Sequence, residues 1–524
     1  MINLHNNNIL VGKKSFFLET CFLFFAGCLA GLVFINNIFI PLLVIALNFL
    51  YICSIEKNNN LTKIFVLGLM FGLGKFAIGL YWIAVAFEIA NYGSFLLGFF
   101  AVFLLSLLLS FFTSFSCVVT KLIGNHFRSS RLGLVCIFAT LLSLGEYLRG
   151  IVFGGFPWNS IGYIWSFSHY TLQGVTWLGI YGLGLLTYLA LFSPLLLGIR
   201  PKYALFLVTP LILLFLFGTS RLLFFSNDED SSISIRIVQP SINQKEKLNI
   251  NLRKDHFQKL VNLSKKNLDK NQKTIIIWPE SAIDFDLEDH SSKNKNLFSW
   301  IEYQHILISG ATRRKYDLVE GKNKLTNIYN SIFVIGRKSE LYHYYDKKHL
   351  VPFGEFIPFR AYLGFMDFIA GSSDFDIGSK DRFVEIKDQY TFIPVICYEI
   401  IFFWKLLNKT NNFSDLIVNI TNDAWFGDFV GPYQHFYLTK MRAAEFNKPL
   451  VRVSNNGITA IFDNNGKILS STKLNKKEII NFNLEIGGGA NLIFYHKILN
   501  IFLIFIFLTN IYFLLFKKND NTNI

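Results

Sequence analysis

The sequence predicts a bundle of membrane-spanning helices that carries one polar α/β domain. Two observations lead to this fold class. The chain of 524 residues has a mean hydropathy of +0.38 and only 16% charged residues, whereas an average soluble protein has about 25%. The apolar residues are also concentrated in long runs, which flank a polar region at 220–490. Together these features indicate an integral membrane protein with a domain outside the bilayer.

The apolar runs predict eight transmembrane helices. A run of roughly 18 residues is enough to cross a hydrocarbon core of about 30 Å. The runs lie at 17–34, 38–54, 63–87, 94–118, 133–149, 174–197, 203–219 and 494–516. The first run lacks a clear small-residue cleavage site and leads directly into further runs, so we interpret it as a helix and not as a signal peptide. The predicted domains are therefore a seven-helix bundle at 1–219, the polar domain at 220–490, and a last helix with its tail at 491–524.

The basic residues of the short loops predict the orientation in the membrane. They occur in alternate loops, and cytoplasmic loops are the ones enriched in Lys and Arg. The residues concerned are Lys13, Lys14, Lys57, Lys63, Lys121, Arg128, Arg131, Arg200, Lys202, Lys517 and Lys518. Seven spans then place the polar domain outside the cytoplasm. These loops also explain the net charge of +14, and nucleic acid is excluded as a partner because no basic stripe or nucleic-acid motif is present.

The polar region has the pattern of an α/β sandwich. Short, continuous apolar runs of this kind are typical of buried strands. They lie at 233–238, 274–278, 305–310, 331–336, 392–397, 416–421 and 450–454. Helical patterns at 253–269 and 434–447 lie between some of them. We therefore expect sheets whose faces are covered by helices.

Three segments of the polar region carry reactive side chains at the ends of predicted strands. They are IIIWPES with Glu280, YYDKKHLVPFGEFIP with Lys347 and Glu355, and PVICYEI with Cys397 and Glu399. A thiol nucleophile needs a base that removes its proton and a cation that stabilises the oxyanion. Taken singly, these residues are more often a solvated carboxylate, a surface lysine and a core cysteine. Their joint occurrence favours a catalytic site.

The longer motifs around these residues resemble a known signature. WPES, HLVPFGE and CYEI, in this order, are similar to the Glu–Lys–Cys motifs of the nitrilase superfamily. With the membrane spans, NDAWFG at 422–427 and FPW at 156–158, the whole chain resembles the apolipoprotein N-acyltransferase family, the membrane-embedded branch of that superfamily. The resemblance implies a nitrilase-like α-β-β-α sandwich inserted between helices 7 and 8 of an eight-helix bundle. It also implies a multi-pass protein of the bacterial inner membrane with its catalytic domain in the periplasm.

The same resemblance implies an activity and residue roles. The expected enzyme moves an acyl chain from a phospholipid, such as phosphatidylethanolamine, to the N-terminal amine of a diacylglyceryl lipoprotein. Glu280 would be the general base, and Cys397 would be the residue that forms a thioester. Lys347, in preference to Lys348, would be the cation that stabilises the oxyanion. The supporting residues would be Glu355, Tyr398 and Glu399. A monomer without metal or organic cofactor is expected. The alternatives are a membrane-tethered amidase that uses water, and a transporter or lipid-binding protein with an inactive domain.

Several features outside the triad have two interpretations. Glu146 and Arg149, at the end of the fifth span, are either functional or simply paired near a helix end. Lys75 lies within span three, where it would face a polar cavity. The aromatic loop 150–173 is either an interfacial belt or a lid over a lipid entrance. The segment 359–376 is either a membrane-touching arm or a buried surface helix.

Overall fold

The structure is a computed structural model, and its described residues form two compact units. The described residues are 2–89, 95–127, 130–198, 200–224, 231–247, 249–287, 297–319, 322–363, 374–386, 390–406 and 413–486. The first unit is formed by helices within Met1–Ala84 and Phe95–Phe224. The second unit contains the described part of Phe225–Leu492 and a short helical stretch that begins at Val85.

The first unit is helical, and the described residues contain seven helices long and apolar enough to cross a membrane. The helices are α1 (Ile2–Gly31), α2 (Ile40–Tyr51), α3 (Leu61–Leu80), α4 (Phe95–Phe127), α5 (Arg131–Ile151), α6 (Val175–Phe192) and α7 (Pro201–Phe224). With the helical turns that flank α2, its span extends over Asn37–Glu56. Each of the first seven predicted spans coincides with one of these helices. The eighth predicted span, 494–516, lies outside the described residues, and so does most of the segment 359–376.

The second unit contains two mixed six-stranded sheets. The first has the order β12-β1-β2-β3-β4-β5, and the second has the order β11-β10-β9-β8-β7-β6. The strands are β1 (Ser231–Gln239), β2 (Thr274–Ile277), β3 (His305–Val319), β4 (Lys322–Ile335), β5 (Leu341–Asp346), β6 (Val384–Ile386), β7 (Tyr390–Ile396), β8 (Leu416–Thr421), β9 (Leu450–Ser454), β10 (Ala460–Phe462), β11 (Ile468–Ser471) and β12 (Glu478–Ile486).

The two sheets pack face to face around a core of branched aliphatic side chains. Ile235 and Ile277 of the first sheet and Val418 and Val453 of the second belong to the same buried cluster. The outer face of the first sheet is covered by helix α9 (Arg253–Lys265), whose apolar side packs beside β1 and β2. Helix α10 (Val430–Phe446) packs against the second sheet. The unit therefore has four layers, α-β-β-α, as in a nitrilase-like fold.

The centre of each sheet is parallel, and this feature determines where a site can form. β1, β2 and β3 run parallel in one sheet, and β7, β8 and β9 run parallel in the other. Strands of this kind are buried on both faces and therefore read as continuous apolar runs. The carboxyl ends of neighbouring parallel strands meet at one edge, where open α/β sheets carry their sites.

Seven strands were predicted from the sequence and all seven are present. Five others, β5, β6, β10, β11 and β12, lie outside the predicted runs. β12 is an edge strand that pairs only with β1 among the described strands, and its buried residues alternate with exposed ones. A search for continuous apolar runs does not detect such an alternating pattern.

Candidate active site

Three loops of the second unit bring Glu280, Lys347 and Cys397 together. Glu280 follows β2, Lys347 follows β5 directly, and Cys397 follows β7 directly. The Lys347 Nζ lies 3.6 Å from Glu280 Oε1 and 2.9 Å from Glu355 Oε1. All three predicted triad side chains are buried. The structure thus places the predicted cation between two carboxylates, beside the predicted nucleophile.

Asn330, which the sequence did not single out, links the two carboxylates. Its Nδ2 donates to Glu280 Oε1 and to Glu355 Oε1, at 2.8 Å in each case. The backbone carbonyl of Asn330 accepts a hydrogen bond from the Lys347 backbone amide at 2.8 Å. Glu355 Oε2 in turn accepts from the Val351 amide at 2.8 Å. The carboxylates are therefore held by fixed donors and have little freedom to move away from Lys347.

A close backbone approach fixes the loop that carries Glu280. The Gly310 amide on β3 donates to the carbonyl of Pro279 at 3.2 Å. A Cβ atom at Gly310 would lie 2.7 Å from the Cα of Glu280 and 2.6 Å from the amide nitrogen of Ser281. Only glycine can occupy this position without displacing the loop.

Cys397 sits on a strained turn. Its φ angle is +49°, a left-handed conformation that residues with a Cβ rarely adopt. Such strain persists only where surrounding contacts enforce it, and it is commonly found at active sites. The turn continues as a short 3₁₀ helix, Cys397–Ile401. The next residue, Tyr398, stacks edge-on against Phe402 with ring centroids 5.0 Å apart.

Glu399 is the carboxylate that holds this turn, and it is fully buried. Its Oε2 accepts from the Ile396 amide at 2.9 Å. It forms a two-pronged ion pair with Arg382, with Nη1–Oε2 at 2.8 Å and Nη2–Oε1 at 2.9 Å. Its Oε1 also accepts from the backbone amides of Lys348 and His349, at 2.8 and 3.1 Å. Glu399 therefore connects the nucleophile turn to the loop that carries Lys347.

The two adjacent lysines, Lys347 and Lys348, point to different surroundings. Lys347 is buried against Glu280 and Glu355. The Lys348 side chain is 30% exposed, and its Nζ lies 3.8 Å from Asp381. Of these two lysines, only Lys347 is therefore in position to act on a group bound beside Cys397.

Charge and burial together keep the resting thiol neutral. Burial raises the pKa of Cys397 well above its usual range, Glu280 raises it further, and Lys347 opposes both. Burial disfavours the charge on Lys347, but Glu355 and Glu280 outweigh burial and raise the pKa of this lysine. The site at neutral pH thus contains a protonated thiol and an ammonium group.

Behind Cys397 lies a buried polar cluster that the sequence indicated only in part. Asp423 Oδ1 lies 2.8 Å from His435 Nδ1, and its Oδ2 accepts from Arg452 Nη2 at 2.5 Å. Thr421 and Cys397 are hydrogen-bonded through the threonine side chain. Burial raises the pKa of Asp423, but Arg452 and His435 outweigh it and lower it to about 2. In the sequence, Asp423 was indicated only as part of the NDAWFG motif, and no sequence signal distinguished His435 or Arg452.

We predict that His435 makes the stability of this domain sensitive to acid. Burial lowers the pKa of His435, Arg452 lowers it further, and Asp423 opposes them. The unfolded chain therefore binds a proton more readily below the ordinary histidine pKa of about 6.5. The contribution of neutral His435 to the free energy of unfolding is therefore complete above that pH, and it is lost as the pH falls below it. The difference in Tm between pH 7.5 and pH 5.5 should be smaller in His435→Gln than in the wild type, and an equal difference would contradict this.

The first unit contains its own buried charged cluster. Lys75 Nζ lies 3.3 Å from Glu146 Oε1, which also accepts from the Tyr188 hydroxyl at 2.8 Å. Arg149 Nη1 donates to the backbone carbonyls of Phe156 and Trp158 at 2.5 and 2.6 Å. Glu146 and Arg149 are thus both buried and hydrogen-bonded. Arg149 fixes the FPW segment within the aromatic loop.

Comparison with known proteins gives matches over both units. A family model described as the apolipoprotein N-acyltransferase N-terminal domain matches residues 26–193, and a carbon-nitrogen hydrolase model matches residues 234–488. An apolipoprotein N-acyltransferase of Brucella melitensis is 34% identical over 427 residues, which is 79% of this chain and 78% of the relative. One of Rickettsia typhi is 33% identical over 466 residues, 87% and 89% of the two chains. A solved amidase of the nitrilase superfamily, from Nesterenkonia, superposes with a TM-score of 0.33 at 12% identity, covering 50% of this chain and 94% of its own.

Proposed function

Because the chain belongs to the apolipoprotein N-acyltransferase family, we propose that it transfers an acyl chain from a membrane phospholipid to the N-terminal α-amine of a lipoprotein. The donor would be a lipid such as phosphatidylethanolamine, and the acceptor the diacylglyceryl-cysteine at the lipoprotein N-terminus. The observation that carries this proposal is the Lys347 ammonium, which lies 3.6 Å from Glu280 Oε1 beside the buried Cys397 thiol.

In the first step, Glu280 removes the proton from Cys397. The raised pKa of the thiol means that it needs a base within the site. The sulfur attacks the ester carbonyl of the donor and forms a C–S bond, and the carbonyl oxygen becomes an oxyanion. A buried, prepositioned ammonium such as that of Lys347 stabilises this charge strongly, because little water screens it. The C–O bond then breaks, and Glu280 returns the proton to the departing lysophospholipid alkoxide.

In the second step, the acyl chain passes from sulfur to nitrogen. The α-amine of the acceptor attacks the thioester carbonyl, again through an oxyanion beside Lys347. Glu280 accepts the proton released by the amine, and the Cys397 thiolate departs and recovers that proton. The products are an amide-linked acyl chain and the resting thiol. Two half-reactions through one covalent intermediate predict ping-pong kinetics.

The remaining predicted site residues would position this machinery. Glu355 accepts from Lys347 at 2.9 Å, so it would orient the ammonium between the base and the oxyanion. Glu399 accepts from the Ile396 amide, so it would maintain the strained turn of Cys397. Tyr398, packed on Phe402, would shape the surface next to the nucleophile.

We propose that the catalytic unit works at the outer face of the bacterial inner membrane. Lipid substrates, seven apolar helices and the alternation of basic loops support this location. The proposal includes the division into a bundle at 1–219, a catalytic domain at 220–490 and a terminal helix at 491–524. It also includes a monomeric enzyme.

The test is to trap the acyl-enzyme. The purified full chain in detergent is incubated with phosphatidylethanolamine that carries a labelled acyl chain, without an acceptor. We expect label on Cys397, located by mass spectrometry and released by hydroxylamine, and no label in Cys397→Ala. An absent adduct, or one that persists in Cys397→Ala, would contradict the thioester mechanism.

The acceptor is tested in the second half of the same experiment. A diacylglyceryl-cysteine peptide with a free amine should discharge the label into an amide, whereas the same peptide with an acetylated amine should not. Release of the label only as free fatty acid would instead support the alternative of a membrane-tethered hydrolase that uses water.

A further inference from the structure

Lys247 is a second lysine of the active site that the two steps above do not use. It ends the short helix α8 (Gln244–Lys247), which follows β1. Its Nζ donates to the backbone carbonyl of Glu280 at 3.0 Å. The residue is partly buried, and its ammonium lies next to the backbone of the catalytic base.

A buried amide network fixes the position of the helix that carries Lys247. Gln244 accepts from Asn422 Nδ2 at 2.8 Å. Asn455 donates to Asn422 Oδ1 at 3.0 Å and to the Ile242 carbonyl at 2.8 Å. Buried amides of this kind are costly unless they are satisfied, so the network holds one arrangement. It links the segment after β1 to the segments after β8 and β9, beside Cys397.

The balance of charges in the site favours a second cation. Glu280 and Glu355 are two carboxylates, and Lys347 is the ammonium they share. Lys347 and the two carboxylates therefore carry a net negative charge around the neutral thiol. Lys247 offsets that charge. Among the described residues its ammonium makes one hydrogen bond, to Glu280, which leaves donors for another acceptor.

The ammonium of Lys247 keeps its charge in this position. Burial lowers its pKa to about 8, and the charges of Glu280 and Asp284 oppose that shift. It is therefore mostly protonated near neutral pH. Its electrostatic interaction extends to Cys397 as well, so the cation lies close to the atom that attacks the ester.

We propose that Lys247 binds the phosphodiester of the phospholipid donor while Cys397 attacks the neighbouring ester. This inference rests on the proposed function, because it concerns the donor of that reaction. Each glycerophospholipid carries an anionic phosphodiester on the same glycerol as its acyl esters. Without Lys247, the two carboxylates would repel that anion. A lysine is a compact point charge that binds phosphate without requiring one geometry. This contact would therefore depend on the phosphodiester and not on the identity of the headgroup attached to it.

The test compares two donors that differ only in the phosphate-containing group. They are phosphatidylethanolamine and diacylglycerol with the same acyl chains, in detergent micelles. The readout is kcat/KM for formation of the Cys397 acyl-enzyme. We expect the wild type to prefer the phospholipid, and Lys247→Met to reduce its phospholipid kcat/KM by about 10- to 100-fold, mostly through KM. The diacylglycerol rate should change little, and Lys247→Arg should retain most of the preference.

Lys245→Met is the matched control, because Lys245 is an exposed lysine on the same short helix. It should behave like the wild type with both donors. A wild type without preference for the phospholipid, or a Lys247→Met variant that keeps the preference, would overturn the proposal. Equal losses with both donors would also overturn it, since Lys247 would then act only through Glu280. Failure of the wild type to form any acyl-enzyme would refute the proposed function itself.

Discussion

Lys347→Met is expected to reduce the rate of acyl-enzyme formation by about a thousandfold. The ammonium of Lys347 is the group best placed to stabilise the oxyanion, and it lies within 3.6 Å of Glu280 Oε1. Its loss also leaves Glu280 and Glu355 as two neighbouring carboxylates without the cation they share. Like charges that close favour protonation of one of them, so less of the base would be in the ionised form that accepts the thiol proton. The measurement is single-turnover labelling of Cys397 from a labelled phospholipid.

The adjacent lysine provides a matched control for this prediction. Lys348→Met removes an ammonium whose side chain is 30% exposed and 3.8 Å from Asp381. An exposed pair of this kind contributes little to stability, so this variant should retain most of its activity. Lys347→Arg is the second test, because it keeps the charge and preserves folding but presents a planar fork in place of a point charge. If Lys347→Met were as active as Lys348→Met, Lys347 would not stabilise the oxyanion.

Glu399→Gln is expected to destabilise the α/β domain by about 3–5 kcal/mol and to lower activity with it. The carboxylate is fully buried, and its two-pronged pair with Arg382 would be broken. The guanidinium of Arg382, itself buried, would then lack its compensating charge. Glu385→Gln is the control, since Glu385 is an exposed glutamate on the edge strand β6. Chemical denaturation of the purified variants in detergent measures the difference.

A double variant separates the structural role of Glu399 from its positioning role. Arg382→Met with Glu399→Leu removes both charges, so no unpaired charge stays buried and the loss of stability should be smaller than in Glu399→Gln. Acyl-enzyme formation should nevertheless remain low, because the amides of Ile396, Lys348 and His349 would still lack the acceptor that connects the two catalytic loops. Recovery of both stability and activity would show that Glu399 does not position these loops.

The proposed catalytic side chains could be selected from the sequence because each follows a recognisable strand or motif. Glu280 and Cys397 follow continuous apolar runs that became β2 and β7. Lys347 follows β5, which was not predicted because LYHYYD is too polar to be recognised as a buried strand. The motif HLVPFGE indicated Lys347 instead. The parallel centre of each sheet then explains why the ends of separate strands can meet.

The groups that hold the catalytic side chains in place could not be predicted in the same way. Asn330 bridges Glu280 and Glu355, but its position on β4 gives no local sign of that contact. Arg382 reaches Glu399 across 17 residues of chain, and Arg452 reaches Asp423 across 29. Such pairs depend on the register and packing of distant strands, which residue spacing along the sequence does not determine.

The protonated state of Cys397 has a consequence for oxidative damage. The domain is proposed to lie in a compartment where disulfides form readily, and oxidants attack the thiolate form of cysteine. With its pKa raised by burial and by Glu280, Cys397 holds its proton at rest, so peroxides and exchangeable disulfides meet an unreactive sulfur. In the proposed mechanism, the thiolate forms only when Glu280 takes the proton for attack on a lipid ester. The arrangement that makes the enzyme depend on a base therefore also protects the resting thiol between turnovers.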